Sequence, residues 1–218
     1  MLRYDQYIPD GARDGAPLFV LLHGRGSHKG DLMGLQPYLP PSALLVTPEA
    51  PFPGAPWGYG PGWAWYRFLG GATPEPESFR ESQRALAEFL AGLPERLPVR
   101  PGPLILGGFS QGGVMSMAYA LLNPGAVPMV VNFSGFLAEH PDVEVTPERV
   151  TGTRFFWGHG EQDPAIPYAL ALEGQKRLRA AGADLTARTY PMGHSISPEE
   201  LADVTAWVQQ GLQPGLSR

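Results

Sequence analysis

The chain has 218 residues, of which 43% are hydrophobic and 17% charged, and its formal net charge is -5. This length and composition predict one soluble globular domain, residues 1–218, with a single sizeable core. The negative charge, without any basic run, excludes an electrostatic basis for nucleic-acid binding. The absence of cysteine excludes disulfides, thiolate metal sites and a cysteine nucleophile. The N-terminal residues show no apolar stretch typical of a secretory signal, so we expect a cytoplasmic location. The sequence leaves the oligomeric state open, and a homodimer is one possibility.

Short β-rich apolar runs alternate with helical patterns along the chain, which favours an α/β fold with a mostly parallel sheet and helices on both faces. The predicted strands are Leu18–Leu22, Ala43–Val46, Leu104–Leu106, Met129–Phe133, Arg154–Trp157 and Leu185–Tyr190. The predicted helices are Pro76–Leu90, Gln111–Leu122, Tyr168–Ala181 and one opened by the capping-box sequence Ser197-Pro198-Glu199-Glu200. Residues 101–138 carry no charge, but Gly and Pro interrupt them, so they predict a buried strand, helix and strand rather than a membrane span.

One long irregular segment, Pro48–Pro74, is dense in Pro, Gly and aromatic residues. A loop of this length inside a compact domain is usually functional, and ligands in open α/β sheets bind beyond the carboxyl ends of the strands. We therefore expect its tryptophans to contribute to an apolar substrate pocket, with Trp65 as the candidate substrate-binding residue. The alternative is that Trp57, Trp63 and Trp65 only pack the segment onto the core.

The strongest chemical motif is Gly108-Phe109-Ser110-Gln111-Gly112, which stands between a predicted strand and a predicted helix. It matches the G-x-S-x-G nucleophile elbow of α/β-hydrolases, in which a sharp turn exposes a serine hydroxyl. The flanking glycines permit such a turn. Ser110 would then lie at a helix N-terminus, where main-chain N–H groups can stabilise an oxyanion. The alternative is a Gly-rich turn that only packs the helix against the strand.

A serine hydroxyl needs a base before it becomes a good nucleophile, and five histidines are candidates. His194 follows the last predicted strand and precedes the last helix, where the chain order of α/β-hydrolases puts the base. An imidazole there can take and return a proton near neutral pH. His23 and His159 precede glycines at strand ends and are expected to hold turns, whereas His28 and His140 are expected to be exposed to solvent.

The acid that supports the base should lie between Ser110 and His194 in the sequence, after a strand. Asp163 meets this requirement, because the strand Arg154–Trp157 runs into Gly158-His159-Gly160-Glu161-Gln162-Asp163. Asp142, which follows the preceding strand, and Glu161 are the alternatives. Without a catalytic role, Asp163 would serve as a helix cap.

An oxyanion hole needs a second donor besides the N–H of Gln111, the residue after the predicted nucleophile. In this fold the second donor comes from the loop after an early strand. Here that loop is Leu22-His23-Gly24-Arg25-Gly26, so the main-chain N–H of Arg25 is the predicted donor. The alternative is a plain glycine turn.

Several motifs occur in one order along most of the chain: Leu22-His23-Gly24, Gly108-Phe109-Ser110-Gln111-Gly112-Gly113, Phe133-Ser134-Gly135, His159-Gly160-Glu161-Gln162-Asp163 and Met192-Gly193-His194. Together they resemble the phospholipase/carboxylesterase family, which includes the acyl-protein thioesterases. The resemblance implies an α/β-hydrolase core without a large lid, acting without a cofactor on carboxylic esters, lysophospholipids or thioesters. It also supports Ser110, Asp163 and His194 as the triad.

The chain departs from this family at two positions near the predicted site. The resemblance supports the main-chain N–H groups of Arg25 and Gln111 as the oxyanion donors. Family members, however, usually carry an apolar residue where this chain has Arg25. They also often show Trp-Tyr-Asp where this chain reads Trp65-Tyr66-Arg67. These changes affect the substrate pocket rather than the predicted triad.

The sequence therefore predicts a serine hydrolase that cleaves a small-molecule ester or thioester of short to medium acyl chain. A lysophospholipase or an acyl-protein thioesterase is the alternative, and a non-catalytic binding module on the same fold is a remote one. Residues 108–113 and 24–29 fail the glycine fingerprints of nucleotide-binding loops, and the chain has no H-E-x-x-H, so neither a nucleotide nor a catalytic zinc is expected.

Overall fold

A computed structural model describes residues 1–213; residues 214–218 of the expected domain 1–218 lie outside this range. The strands of the described part follow in chain order: β1 Tyr4–Tyr7, β2 Leu18–Leu22, β3 Leu44–Pro48, β4 Phe52–Pro53, β5 Trp63–Ala64, β6 Phe68–Gly70, β7 Thr73–Pro74, β8 Leu104–Phe109, β9 Met129–Phe133, β10 Arg154–Gly160 and β11 Asp184–Tyr190. The α-helices are α1 Pro76–Gly92, α2 Gln111–Leu122, α3 Pro147–Val150, α4 Tyr168–Ala180 and α5 Pro198–Leu212. Three 3₁₀ helices span Asp31–Tyr38, Ala55–Trp57 and Pro94–Arg96.

Seven strands form the central sheet in the order β1-β3-β2-β8-β9-β10-β11. Only β1 runs antiparallel to its neighbour, and every other pairing in this sheet is parallel. The carboxyl ends of β2, β8, β10 and β11 therefore lie along one edge of the sheet, where open α/β sheets bind ligands. Arg25, Ser110, Asp163 and His194 lie directly after these four strands, and Gln111 opens the helix that follows β8.

Two hydrophobic cores cover the two faces of the sheet. Successive side chains of a strand point to opposite faces, so within β2 Val20 packs into the core under α1, α2 and α4. Phe19 and Leu21 pack into the core under α5 and the 3₁₀ helix Asp31–Tyr38. The predicted architecture, a mostly parallel sheet with helices on both faces, is confirmed.

In the central sheet, β8 and β10 run further toward the site than predicted, and the edge strand β1 was not predicted. Strands β8 and β10 each continue three residues beyond their predicted ends, through glycines that a sequence pattern treats as the end of a strand. Strand β1 was not predicted, because Tyr4–Tyr7 is half polar and lies at the edge of the sheet without an apolar run.

The capping box predicted for the last helix forms only in part. The Ser197 hydroxyl accepts the N–H of Glu200 at 3.2 Å, as the motif requires. The Glu200 carboxyl is fully buried and interacts with the main-chain N–H of Ser197, but within residues 1–213 neither of its oxygens reaches a donor in good hydrogen-bond geometry. Tertiary packing of α5 against the sheet therefore overrides the local motif.

In the stretch from Met1 to Gln213, no helix combines the length and the apolar character needed to cross a bilayer. The uncharged residues 101–138 form β8, α2 and β9, as the interruptions by Gly and Pro predicted.

Candidate active site

The nucleophile elbow forms where β8 ends and α2 begins. Ser110 has φ 55° and ψ -116°, a left-handed conformation that few residues other than glycine adopt. Its N–H donates to the carbonyl of Phe133 at 2.8 Å, and its carbonyl accepts the N–H of Val114 at 3.1 Å. These bonds tie the strained turn to β9 and α2, so the serine is held at the carboxyl edge of the sheet.

The glycines of the elbow are required by a close backbone contact with β2. A Cβ atom at Gly112 would lie 1.9 Å from the carbonyl oxygen of Leu22, and one at Gly108 would lie 2.6 Å from the same oxygen. No side chain fits there, so the turn seats directly on the neighbouring strand.

His194 lies against Ser110, the predicted nucleophile. Its Nε2 is 2.9 Å from Oγ of Ser110, and the loop that carries it connects β11 to α5. The ring of Phe109 packs beside the imidazole with a centroid distance of 4.7 Å. The predicted base is thus within hydrogen-bond distance of the predicted nucleophile.

Asp163 completes the chain of contacts on the other side of the imidazole. Its Oδ2 is 2.7 Å from Nδ1 of His194, and its side chain is fully buried. Because a carboxylate can only accept, Nδ1 carries the proton and Nε2 is left to accept the hydroxyl proton of Ser110. The other oxygen, Oδ1, accepts the N–H groups of Ala165 and Ile166, both at 2.8 Å, which fixes the carboxylate.

His159 lies beside Asp163 and contacts the turn that follows it. Its Nε2 lies 3.0 Å from the carbonyl of Ile166 and 3.5 Å from Oδ2 of Asp163. Burial lowers the pKa of His159, so the ring stays neutral and donates to the carbonyl. It holds the turn that carries Asp163.

The two alternative acids lie elsewhere. Asp142 accepts from Nε of Arg80 at 2.7 Å, and its side chain is 45% exposed. Glu161 is exposed to solvent. In the described residues, Asp163 is the carboxylate that contacts His194.

The loop after β2 holds Arg25 at the same cavity as Ser110 and Gln111. Neither the N–H of Arg25 nor that of Gln111 is hydrogen-bonded within residues 1–213. His23 fixes this loop: its Nδ1 donates to the carbonyl of Gly24 at 2.8 Å, and its Nε2 accepts the N–H of Ala50 at 3.0 Å. Burial lowers the pKa of His23 to about 4, so the ring is neutral at physiological pH.

Trp65 does not line the cavity, which corrects the expectation that it binds substrate. Its side chain is fully buried, and the indole N–H donates to the carbonyl of His23 at 3.0 Å. The Gln111 side chain holds the same segment, because its Oε1 accepts the N–H of Trp65 at 2.8 Å and its Nε2 donates to the carbonyl of Tyr66 at 2.7 Å. A buried indole with a satisfied N–H belongs to the core.

The cavity beside the nucleophile has a volume of about 220 Å³. Apolar and aromatic side chains form most of its wall, and sequence reasoning did not single them out as pocket residues: Tyr66, Phe68, Phe109, Phe136, Ala165 and Ile166. Tyr66 and Phe68 belong to the aromatic segment Pro48–Pro74, so that segment contributes to the cavity through residues other than the expected Trp65. The density of aromatic residues could identify the segment Pro48–Pro74 as a candidate, but it could not predict which rings face the cavity.

One histidine differs from the sequence expectation. His140 is buried rather than exposed, because its ring packs on Phe79 with a centroid distance of 4.8 Å. His28 is exposed, as expected. Over the described range 1–213, no cluster of three or more His, Asp or Glu side chains is placed to hold a metal ion.

The fold and the strand-to-helix elbow define the class: an α/β-hydrolase, with a seven-stranded central sheet whose strands are parallel except for β1. Among solved structures, the carboxylesterase of Bacillus cereus shares this fold with a TM-score of 0.83 at 18% identity, over 97% of this chain and 95% of that one.

The sequence comparisons narrow the class to a family. The profile of the phospholipase/carboxylesterase family matches residues 5–211, and the chain belongs to that family. It is 34% identical to acyl-protein thioesterase 1 of Gibberella zeae over 118 residues, which span 52% of this chain and 50% of that protein. It is 29% identical to acyl-protein thioesterase 1 of Candida albicans over 93% of this chain and 95% of that protein. The predicted family resemblance is confirmed, although the match spans only half the length of the first of these relatives.

Proposed function

We propose that this chain is a serine hydrolase that cleaves carboxylic esters or thioesters through an acyl-enzyme on Ser110. The observation that carries the proposal is the hydrogen-bonded series from Ser110 through His194 to Asp163, with contacts of 2.9 and 2.7 Å. Nucleophile, base and supporting acid follow the chain order of α/β-hydrolases. Membership of the phospholipase/carboxylesterase family agrees with this activity.

In the first half-reaction, Oγ of Ser110 attacks the carbonyl carbon while Nε2 of His194 takes its proton. The main-chain N–H groups of Arg25 and Gln111 stabilise the oxyanion of the tetrahedral intermediate. Asp163 stabilises the imidazolium by accepting from Nδ1, without taking the proton. When the intermediate collapses, Nε2 returns the proton to the leaving alcohol or thiol, and the acyl group remains on Ser110.

In the second half-reaction, water replaces the leaving group. Nε2 of His194 removes a proton from the water as it attacks the acyl carbon, and the same oxyanion donors stabilise the second intermediate. Collapse then releases the carboxylic acid and returns the proton to Oγ of Ser110. The chain's own groups supply each proton transfer.

The cavity favours short to medium acyl chains. Its volume of about 220 Å³ lies below the ~300–1,000 Å³ of typical ligand pockets, and its wall is mostly apolar. Each buried methylene contributes up to ~0.8 kcal/mol, so kcat/KM should rise up to about fourfold per methylene until the cavity is full. Turnover of an acyl ester series of graded length measures this. A flat profile would contradict an apolar acyl pocket.

Acyl-protein thioesterase activity is the second candidate, because the Candida albicans relative that aligns over almost its whole length carries that name. Lysophospholipase activity uses the same acyl chemistry, since specificity depends on the pocket rather than on the elbow. Parallel assays with esters, thioesters and lysophospholipids of matched acyl length separate the three. The single domain 1–218, the cytoplasmic location and the homodimer stay predictions.

The decisive experiment targets Ser110. A fluorophosphonate probe should label the wild-type protein at this residue alone, because the reagent reacts with an activated serine. Ser110→Ala should abolish both labelling and ester turnover, whereas Ser116→Ala, a buried serine of α2 whose hydroxyl donates to Gly112, should keep the labelling. Wild-type turnover in Ser110→Ala would reject the proposal, and a folded protein without turnover or labelling would favour a non-catalytic binding module.

A further inference from the structure

Arg25 places a positive charge at the rim of the cavity that holds the nucleophile. Its side chain is exposed to solvent and contributes to the cavity wall together with Ser110 and His194. The oxyanion role proposed above uses only its main-chain N–H. The guanidinium therefore has no part in the proposed acyl chemistry, although it stands beside it.

Two aromatic rings hold this guanidinium in place. Its Cζ lies 4.8 Å from the ring centroid of Tyr59 and 5.7 Å from that of Phe68, within the range of cation–π interactions. The Tyr59 hydroxyl accepts the main-chain N–H of Phe68 at 2.8 Å, which ties the two rings together. The loop itself is seated by Gly26, where a Cβ would lie 2.3 Å from the carbonyl oxygen of Tyr59. The cation is thus positioned before any ligand arrives.

No acidic side chain neutralises this charge. In the part of the chain that the structure describes, no carboxylate lies within ion-pair distance of Arg25, and no hydrogen bond engages its guanidinium. Arg80, by contrast, pairs with both Glu77 and Asp142. A guanidinium has five N–H donors in a planar fork that matches carboxylate and phosphate oxygens.

A second donor without a protein partner lies in the same wall. The Tyr66 side chain lines the cavity, and none of the hydrogen bonds within residues 1–213 uses its hydroxyl. Burial raises the pKa of the Tyr66 phenol, and the positive charge of Arg25 offsets this only in part. The phenol therefore stays protonated and can donate to an anion near Arg25.

One carboxylate opposes an anionic ligand. Asp31 also lines the cavity, and its Oδ2 accepts the hydroxyl of Ser27 at 2.7 Å. Apart from His194, the charged side chains of the wall are therefore Arg25 and Asp31. Because Asp31 already has a donor and Arg25 meets no acceptor in the described part of the chain, the unsatisfied group of this wall is the cation.

We propose that the substrate carries an anionic group, a carboxylate or a phosphate, which the Arg25 guanidinium and the Tyr66 hydroxyl bind beside the scissile bond. This inference rests on the proposed esterase function and names its substrate class. It makes Arg25 a specificity-determining residue, separate from the use of its main-chain N–H.

The test compares anionic esters with matched neutral ones. On the acyl side, the para-nitrophenyl monoester of glutaric acid is compared with the para-nitrophenyl ester of glutaramic acid. On the alcohol side, acetylglycerol phosphate is compared with acetylglycerol. For at least one pair, we expect the wild type to prefer the anionic ester in kcat/KM by about 10-fold or more, as for a charge-assisted hydrogen bond. The pair that shows the preference identifies the side that carries the anion.

Substitutions test whether Arg25 causes the preference. Arg25→Gln should reduce the anionic-to-neutral ratio to about one, whatever it does to the neutral ester, and Asp31→Asn should raise the ratio. Arg67→Gln is the matched control, because it removes a positive charge from an exposed residue between Tyr66 and Phe68 that does not itself line the cavity. Its ratio should equal that of the wild type.

The outcomes separate this inference from the proposed function. A wild-type ratio near one for both pairs, or a preference that survives Arg25→Gln, overturns the role of Arg25 while ester turnover still supports the hydrolase. If no ester is turned over, the hydrolase proposal fails. Titration of the Ser110→Ala protein with the same ester pairs then still measures whether the anionic member binds more tightly, and equal binding of both members overturns the anion site.

Discussion

The two sides of the cavity differ in where their polar groups find partners. On the side of Asp163 and His194, each side-chain contact ends on another protein atom: the carboxylate accepts from the imidazole and from two main-chain N–H groups. On the side of Arg25 and Tyr66, the guanidinium and the phenol have donors that meet no acceptor among residues 1–213. Under the proposals above, the first side carries out a reaction common to many esters, and the second side binds the substrate's own group. Chemistry and specificity would then be built on separate walls of one cavity.

The largest expected effect comes from breaking the internally satisfied side. Asp163→Asn leaves a neutral amide beside Nδ1 and permits the wrong tautomer of His194, so kcat should fall by about 10⁴. Asp142→Asn is the matched control, because it makes the same substitution at a half-exposed aspartate that pairs with Arg80. Its kcat should stay near the wild-type value. If the ranking of the two variants were reversed, the assignment of the acid would be wrong.

A smaller effect should come from removing one oxyanion donor on the open side. Arg25→Pro deletes the main-chain N–H and should lower kcat by ~10²–10³ relative to Arg25→Ala, which lacks the same side chain but keeps the donor. Single-turnover acylation with a neutral ester measures this difference. Circular dichroism should show both variants folded. Equal rates in the two variants would place the second donor elsewhere.

The smallest effect on turnover is expected at Glu200, a buried carboxyl that does not line the cavity. Burial raises its pKa from 4.5 to about 8; the main-chain N–H of Ser197 opposes this in part, and the nearby negative charge of Asp203 adds a smaller increase. Below pH ~4.5 both the folded and the unfolded chain hold the proton. Between pH 4.5 and about 8 only the folded chain holds it, so the free energy of unfolding falls as pH rises through this window, by no more than about 5 kcal/mol.

Glu200→Gln removes this titration. The loss of Tm between pH 5 and pH 9 should therefore be smaller in the variant than in the wild type, while ester turnover at pH 7 changes little. Glu199→Gln is the control at the neighbouring exposed position, and its loss of Tm should follow that of the wild type. If Glu200→Gln lost Tm over this range as the wild type does, Glu200 would be ionised in the folded protein.

Local sequence carried the most information about the proposed triad. Ser110 could be predicted because its elbow is a continuous sequence motif. The motif needs glycine because the main chain at Gly112 packs directly against the carbonyl of Leu22. His194 and Asp163 could be ranked first because chain order along a parallel sheet places strand ends at one edge. The pairing of Asp142 with Arg80, from residues 62 apart in the chain, could not be read from the sequence.

The pocket was decided by tertiary structure. The sequence indicated that the aromatic segment contributes to the pocket, but it predicted Trp65 as the substrate-binding residue. The Gln111 side chain and the carbonyl of His23 hold Trp65 in the core instead. Tyr66 and Phe68 face the cavity instead. The two-residue and three-residue strands of the segment give no periodic pattern, so the direction of each ring depends on contacts with distant parts of the chain.

By itself, the sequence determined the α/β class and the succession of the main strands and helices along the chain. It also identified the three residues that meet at the carboxyl edge of the sheet. These follow from local periodicity, glycine sterics and the order of strand ends, which act within short stretches of chain. Only the tertiary structure decided that Arg25 stacks on Tyr59 and Phe68 without an acidic partner among the described residues, and that the Glu200 carboxyl is buried. Burial and the presence of a counter-charge depend on segments that meet only after folding, so no local pattern encodes them.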